Sequence, residues 1–133
     1  MNGRYYNTQY ISGGAVTTIN ASPTITNCII KDNNYGLFAF QASNPVVNNT
    51  EFTNAYYTPI ALSVSSNPTF TNISFVNNGW TALGIIGESV GINGAIGKRS
   101  IAGYTNISYV LLSNLTINSG IEVIVNPGIV IKM

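Results

Sequence analysis

The chain has 133 residues, of which 45% are apolar and only 7% charged, with a formal net charge of +1. That length fits one domain with enough apolar residues to bury a core, but the charged share is far below the roughly one quarter of ordinary soluble domains. The near-zero net charge offers no basic field for nucleic acid or anionic lipid, and no histidine with one cysteine excludes the usual nucleophile–base pairs and zinc sites.

From the N-terminus, Met1-Asn2-Gly3-Arg4-Tyr5 does not read as a signal peptide, so a secreted role would make this chain a mature fragment or a truncated reading frame. No run of 18 apolar residues occurs, so no transmembrane helix is expected. Residues 1–21 read as an incomplete coil. A shift of 22 residues places Val16 and Thr18 beneath Phe38 and Phe40, with Gly13-Gly14 as the matching turn. Tyr5-Tyr6-Asn7-Thr8-Gln9-Tyr10 is polar-aromatic and has no evident cap.

Then a repeat begins. Ser22-Pro23-Thr24-Ile25-Thr26-Asn27, Asn44-Pro45-Val46-Val47-Asn48-Asn49 and Asn67-Pro68-Thr69-Phe70-Thr71-Asn72 superpose, with prolines stepping by 22 and 23 residues. A period of that size signals a stacked unit. Counted from each proline, four columns are apolar: Ile25, Val47, Phe70; Ile30, Phe52, Phe75; Phe38, Ile60, Leu83; and Phe40, Leu62, Ile85. Apolar residues alternate over short runs such as Phe38-Ala39-Phe40, which is the pattern of strands. The runs are separated by Asn, Gly, Ser, Thr and Pro, which form turns. The expected fold is all-β: a parallel β-helix of about 22 residues per coil, three to four coils high over residues 1–87. Each coil would lie about 4.8 Å above the last, so that like residues stack on like.

Beyond Gly87 the period stops. Residues 88–103 are Gly-rich, carry the one basic pair, Lys98-Arg99, and read as a loop or linker. Residues 104–133 hold three short strand patterns, Leu115-Thr116-Ile117, Ile121–Val125 and Ile129-Val130-Ile131, separated by Asn118-Ser119-Gly120 and Asn126-Pro127-Gly128. Two readings stand for this segment, a cap on the helix or the start of a further β-helix module.

The phrases Ser-Pro-Thr-Ile-Thr-Asn-Cys-Ile-Ile and Asn-Pro-Thr-Phe-Thr-Asn-Ile-Ser-Phe-Val-Asn-Asn-Gly resemble the right-handed parallel β-helix repeat of the pectate-lyase-like superfamily, in the versions found in large secreted prokaryotic surface proteins. The resemblance implies a right-handed solenoid. It does not select a function, since that superfamily spans lyases, hydrolases, tailspikes, adhesins and inert stalks.

Two further columns are candidate sites. Asn27, Asn49 and Asn72 recur without exception. They are expected to form an inward amide ladder at one turn, satisfying buried turn groups at roughly 0.5–1.5 kcal/mol each. Tyr35, Tyr57 and Trp80 share one turn position, with Tyr56 beside Tyr57. They either stack on one another or offer a platform on which sugar rings pack. Regular Thr rows for ice or mineral binding are interrupted at Val46 and Asn48. Cys28 falls in a column with Thr50 and Ile73 and reads as a buried small apolar thiol. Asn-x-Ser/Thr sequons begin at Asn20, Asn48, Asn72, Asn106 and Asn114, and an inward Asn72 would be inaccessible.

Polysaccharide hydrolysis needs two carboxylates about 5–10 Å apart, and calcium-assisted elimination needs a cluster of acids. The acids here are Asp32, Glu51, Glu88 and Glu122, and no two share a column. The chain is therefore expected to be no enzyme and to hold no metal or cofactor. The reading is a non-catalytic module of an extracellular or cell-surface protein, acting as stalk, adhesin or scaffold. The alternative is an ancillary carbohydrate-binding segment of a polysaccharide lyase or glycoside hydrolase whose catalytic residues lie outside this chain. Expected partners are a polysaccharide or cell-surface glycan and further β-helix modules of the same parent chain, with no nucleic acid and no membrane insertion.

Overall fold

The computed structural model describes residues 13–133; the Tyr5–Tyr10 stretch lies outside them. The described chain has strands and turns and no helix. The first coil carries β1 (Val16–Ile19), β2 (Thr24–Thr26) and β3 (Ile29–Lys31). The second carries β4 (Leu37–Phe40) and β5 (Val46–Thr53), and the third β6 (Ile60–Leu62) and β7 (Thr69–Val76). Then follow β8 (Leu83–Ile85), β9 (Ser89–Val90) and β10 (Gly94–Ile96), and β11 (Tyr109–Leu111), β12 (Thr116–Ile117) and β13 (Val123–Val125), before β14 (Ile131–Lys132).

All of these strands pair in parallel with the strand one coil away. The first sheet runs β1-β4-β6-β8-β11-β14, and the second joins β2 and β3 to β5, which pairs with β7. Short sheets pair β9 with β12 and β10 with β13. The stack makes about five turns, more than the three to four expected, because β11 and β14 continue the first sheet after the sequence period has lapsed. Backbone pairing needs only an extended segment at the right height, so the coil propagates without a readable repeat.

In the second sheet the columns fall as expected. Ile25 pairs with Val47 and Val47 with Phe70; Ile30 pairs with Phe52 and Phe52 with Phe75. In the first sheet the register differs by one residue. Leu37, not Phe38, pairs with Ile60, and Ile60 with Leu83; Ala39, not Phe40, pairs with Leu62, and Leu62 with Ile85. Val16 and Thr18 lie against Leu37 and Ala39 rather than Phe38 and Phe40. The cause is a turn. Residues 33–36 lead into β4, whereas 55–59 and 78–82 lead into β6 and β8, so the first turn is one residue shorter. Gly36 permits the shortening. A Cβ there would lie 2.5 Å from Phe52 Cδ1 and 2.7 Å from the Pro59 carbonyl oxygen.

A one-residue slip moves a strand's side chains to the opposite face. Leu37 and Ala39 therefore enter the core with Val47, Phe52, Ile60, Leu83 and Ile85. Phe38 stands on the outer face, where it is nevertheless buried with Tyr35, Ala61 and Ile86, beside half-buried Phe40, Tyr57 and Leu112. The solenoid thus has a main core inside and a smaller apolar layer outside the first sheet.

This assignment predicts unequal costs for two phenylalanines. Phe52→Ala should lose about 3–5 kcal/mol as a core truncation, while Phe40→Ala should lose about 1–2 kcal/mol, having less apolar area to forfeit. Urea unfolding of both variants checks the order, and equal losses would contradict the inside–outside assignment.

Candidate functional site

The turns carry most of the polar chemistry. Asn27, Asn49 and Asn72 hold φ values of 56°, 48° and 52°. That left-handed region is one Asn adopts more readily than other side chains. Their amides are connected. Asn49 Nδ2 donates to Asn27 Oδ1 at 3.1 Å, and Asn72 Nδ2 donates to Asn49 Oδ1 at 2.9 Å. The ladder differs from expectation in its side: all three residues are solvent-exposed, not inward. A left-handed residue interrupts strand alternation, and the next residue of the chain takes the inner position. Thr50 accordingly is buried, its hydroxyl donating to the Asn48 carbonyl at 2.9 Å. Its column partner Cys28 is half-buried against the core, with its thiol donating to the Thr26 carbonyl at 3.2 Å.

Two more columns escaped the sequence reading. Asp32, Asn54 and Asn77 also sit at positive φ, and Asn54 Nδ2 donates to Asp32 Oδ1 at 3.0 Å. Ser22, Asn44 and Asn67 stand just before the prolines. The Asn44 amide donates to Ser22 Oγ at 3.2 Å, and the Asn67 amide donates to Asn44 Oδ1 at 2.6 Å. Both were visible as aligned Asn, Asp or Ser positions, but neither column is uniform in residue type.

The aromatic column is a stack. Tyr35 and Tyr57 lie 5.4 Å apart at 25° between ring planes, and Tyr57 and Trp80 lie 5.4 Å apart at 50°. Tyr56 meets Tyr57 edge-on at 4.8 Å. Exposure rises up the column: Tyr35 is 7% exposed and Trp80 45%, while Tyr56 beside them is 71% exposed. The faces of Tyr35 and Tyr57 are occupied by their neighbours, so ring area open to an outside molecule is concentrated at Trp80 and Tyr56.

The acids do not converge. Asp32 is tied to Asn54, Glu51 lines a surface hollow with Asn27, Asn49 and Ser74, and Glu88 lines a separate cavity of about 290 Å³ with Asn20, Gln41 and Ser65. Among the described residues no three His, Cys, Asp or Glu side chains lie close enough together to hold a metal ion. Burial pushes the Glu88 carboxyl above the ordinary 4.5, opposed by Ser63 and the Val64 backbone, and its Oε1 is buried without a hydrogen-bond partner. No helix of the described residues is long and apolar enough to cross a membrane.

Comparison with known proteins agrees with this architecture. The model of a family described as a right handed beta helix region matches residues 5–103. No curated protein and no solved structure matches the chain.

Two outcomes follow from this geometry. Asn49→Ala should lose about 1–2 kcal/mol, because Ala gives up two amide bonds and resists positive φ; Asn49→Gly should lose less, since Gly keeps the backbone conformation. Denaturant midpoints of the pair check this, and the reverse order would contradict it. For Glu88, a folded pKa above the unfolded one means that the native state binds the extra proton, so stability is full below about 4.5 and declines as pH rises through the folded value. Glu88→Gln should flatten that decline and be the more stable protein at pH 7, as thermal melts from pH 4 to pH 7 would reveal.

Proposed function

Since the chain belongs to the right-handed β-helix family, we propose that it acts as a non-catalytic module of an extracellular or cell-surface protein, a stalk, adhesin or scaffold. One observation carries this reading. The side chains that recur along the stack are spent on one another: Asn27 on Asn49, Asn49 on Asn72, Asp32 on Asn54 and Tyr35 on Tyr57. Groups held in ladders stiffen a solenoid, and they are not free to act on a substrate. The scattered acids support the same reading, since glycosidic cleavage requires a facing carboxylate pair. A sparsely charged, Asn- and Thr-rich surface also suits a spacer that should not attract nucleic acid or enter a membrane. Further β-helix modules of the same parent chain are the partners that such a spacer would link.

A second reading is favoured by the end of the aromatic stack. Trp80 and Tyr56 leave ring area open to solvent, and exposed aromatic faces pack against pyranose rings. On that reading the chain is an ancillary carbohydrate-binding segment of a polysaccharide lyase or glycoside hydrolase, docking a polysaccharide or cell-surface glycan.

The two readings separate in one experiment. The chain is incubated with pectin, alginate, xylan and cellulose while product and Trp80 fluorescence are both recorded. The scaffold reading expects neither turnover nor a fluorescence change. A saturable change lost in Tyr56→Ala, which keeps the chain's one tryptophan as reporter, would establish the docking reading, and turnover abolished by Asp32→Asn, Glu51→Gln or Glu88→Gln would overturn both.

A further inference from the structure

The second sheet stops at β7. Among the described residues, β7 pairs with β5 on one side and with no strand on the other. The segment that would form the next rung, residues 97–108, instead folds back on itself. The Ile101 and Tyr104 backbones exchange hydrogen bonds of 3.0 and 2.9 Å across Ala102 and Gly103, both at positive φ, and Ile107 N–H donates to the Arg99 carbonyl at 2.9 Å. Ile101 and Ile107 plug the interior, but the edge of β7 is left as a ledge.

The missing rung can be measured from the rungs below. The Pro23 and Pro45 carbonyls accept from the Val46 and Thr69 amides at 2.9 and 3.0 Å, and Ser22 Oγ and Asn44 Oδ1 accept from the Asn44 and Asn67 amides. At the third rung both acceptors are taken by one side chain: Arg99 Nη1 donates to the Pro68 carbonyl at 3.0 Å and Nη2 to Asn67 Oδ1 at 2.7 Å. The guanidinium fork replaces two backbone amides of an absent strand. Past Pro68 no hydrogen bond among the described residues replaces them. Burial tells the same story: Val47 and Phe52, covered by β7, are fully buried, whereas Phe70, Ile73 and Phe75 one rung up are only half-buried. A cavity of about 410 Å³ lies over Phe70, Asn72 and Ile73, walled by residues 100–105.

We propose that the free edge of β7 is an acceptor site for a single extended peptide strand, of neutral sequence with apolar residues spaced as Phe70, Ile73 and Phe75 are. The open amides and carbonyls repeat at strand spacing, which an extended backbone matches. Apolar residues at the spacing of Phe70, Ile73 and Phe75 would complete the cover over them. A second folded copy does not fit as well as a thin strand, because residues 100–105 wall the ledge and the first sheet continues above it through β11 and β14.

The test uses the full chain, uniformly labelled with nitrogen-15, and a synthetic peptide, acetylated and amidated at its ends, with the uncharged sequence of β7, Thr69–Val76. Titration should shift backbone amides between Phe70 and Asn77, and N-methylation of alternate peptide amides should weaken binding about tenfold, the loss expected when one or two hydrogen bonds are removed. Three results would each overturn the proposal: no shifts at millimolar peptide, shifts confined to residues 116–132 at the open edges of β12 to β14, or affinity unchanged by N-methylation. Concentration-dependent shifts at β7 without peptide, matched by dimer in sedimentation velocity, would assign the edge to a second copy and overturn the peptide as occupant.

Discussion

Parallel backbone hydrogen bonding from one coil to the next is the constraint on which the remaining structure depends. It stacks each residue on its counterpart one coil away, 21 to 23 positions in the lower coils, as in Ile25, Val47 and Phe70, or Val16 and Leu37, and 26 to 29 where β8 to β10 meet β11 to β13. A position therefore has to suit its own coil and its vertical neighbours together. Inside, this makes columns of apolar side chains. At the turns it repeats a left-handed backbone, and the chain answers with Asn or Asp at 27, 49 and 72 and at 32, 54 and 77. Once stacked, those amides are within reach of one another, so residues chosen for turn conformation also supply vertical hydrogen bonds.

The same constraint explains the outer apolar layer. A turn shortened by one residue before β4 shifts that strand against its neighbours, and pairing then decides which side chains face inward. Leu37 and Ala39 take the interior, and Phe38 and Phe40 are displaced outward. The outward pair is not wasted. Ala61 and Gly84 above Phe38 are small, and Leu112 leans over them: a Cβ on Gly84 would lie 2.7 Å from Leu112 Cδ1. Phe38, Ile86 and the buried end of the aromatic stack thereby enclose a second cluster that braces the first sheet from outside.

Stacking also governs what chemistry is left over. Vertical pairing consumes amides, hydroxyls and ring faces in the body of the solenoid, and what is free gathers where the pairing ends. Trp80 is the last ring of its stack, and β7 is the last strand of its sheet. Arg99 stands at that boundary. Its guanidinium takes up the Pro68 carbonyl and Asn67 amide oxygen, and it lies beside Tyr109, whose hydroxyl donates to the Gly97 carbonyl at 2.7 Å. Burial raises the Tyr109 pKa and the nearby Arg99 charge counteracts the rise. One cation in a sparsely charged chain thus caps the first two acceptors of a rung over which, among the described residues, no strand continues.

The sequence by itself determined the fold class, the coil length, the second-sheet columns and the vertical alignment of the Asn and aromatic residues. Those features rest on residue identity recurring at a fixed spacing, which a linear chain displays directly. Tertiary structure decided the rest. The Phe38 and Phe40 register could not be read from prolines spaced 22 and 23 apart, because the single missing residue can fall anywhere in the coil and only packing of Gly36 against Phe52 and Pro59 places it. The exposure of the Asn ladder depended on a left-handed residue breaking strand alternation at 27, 49 and 72, which reverses the face that simple alternation assigns. The continuation through β11 and β14 depended on backbone pairing, which leaves no mark on side-chain identity. The open edge of β7 depended on the path of residues 97–108, whose Gly-rich sequence permits a turn but does not say which strand it leaves uncovered.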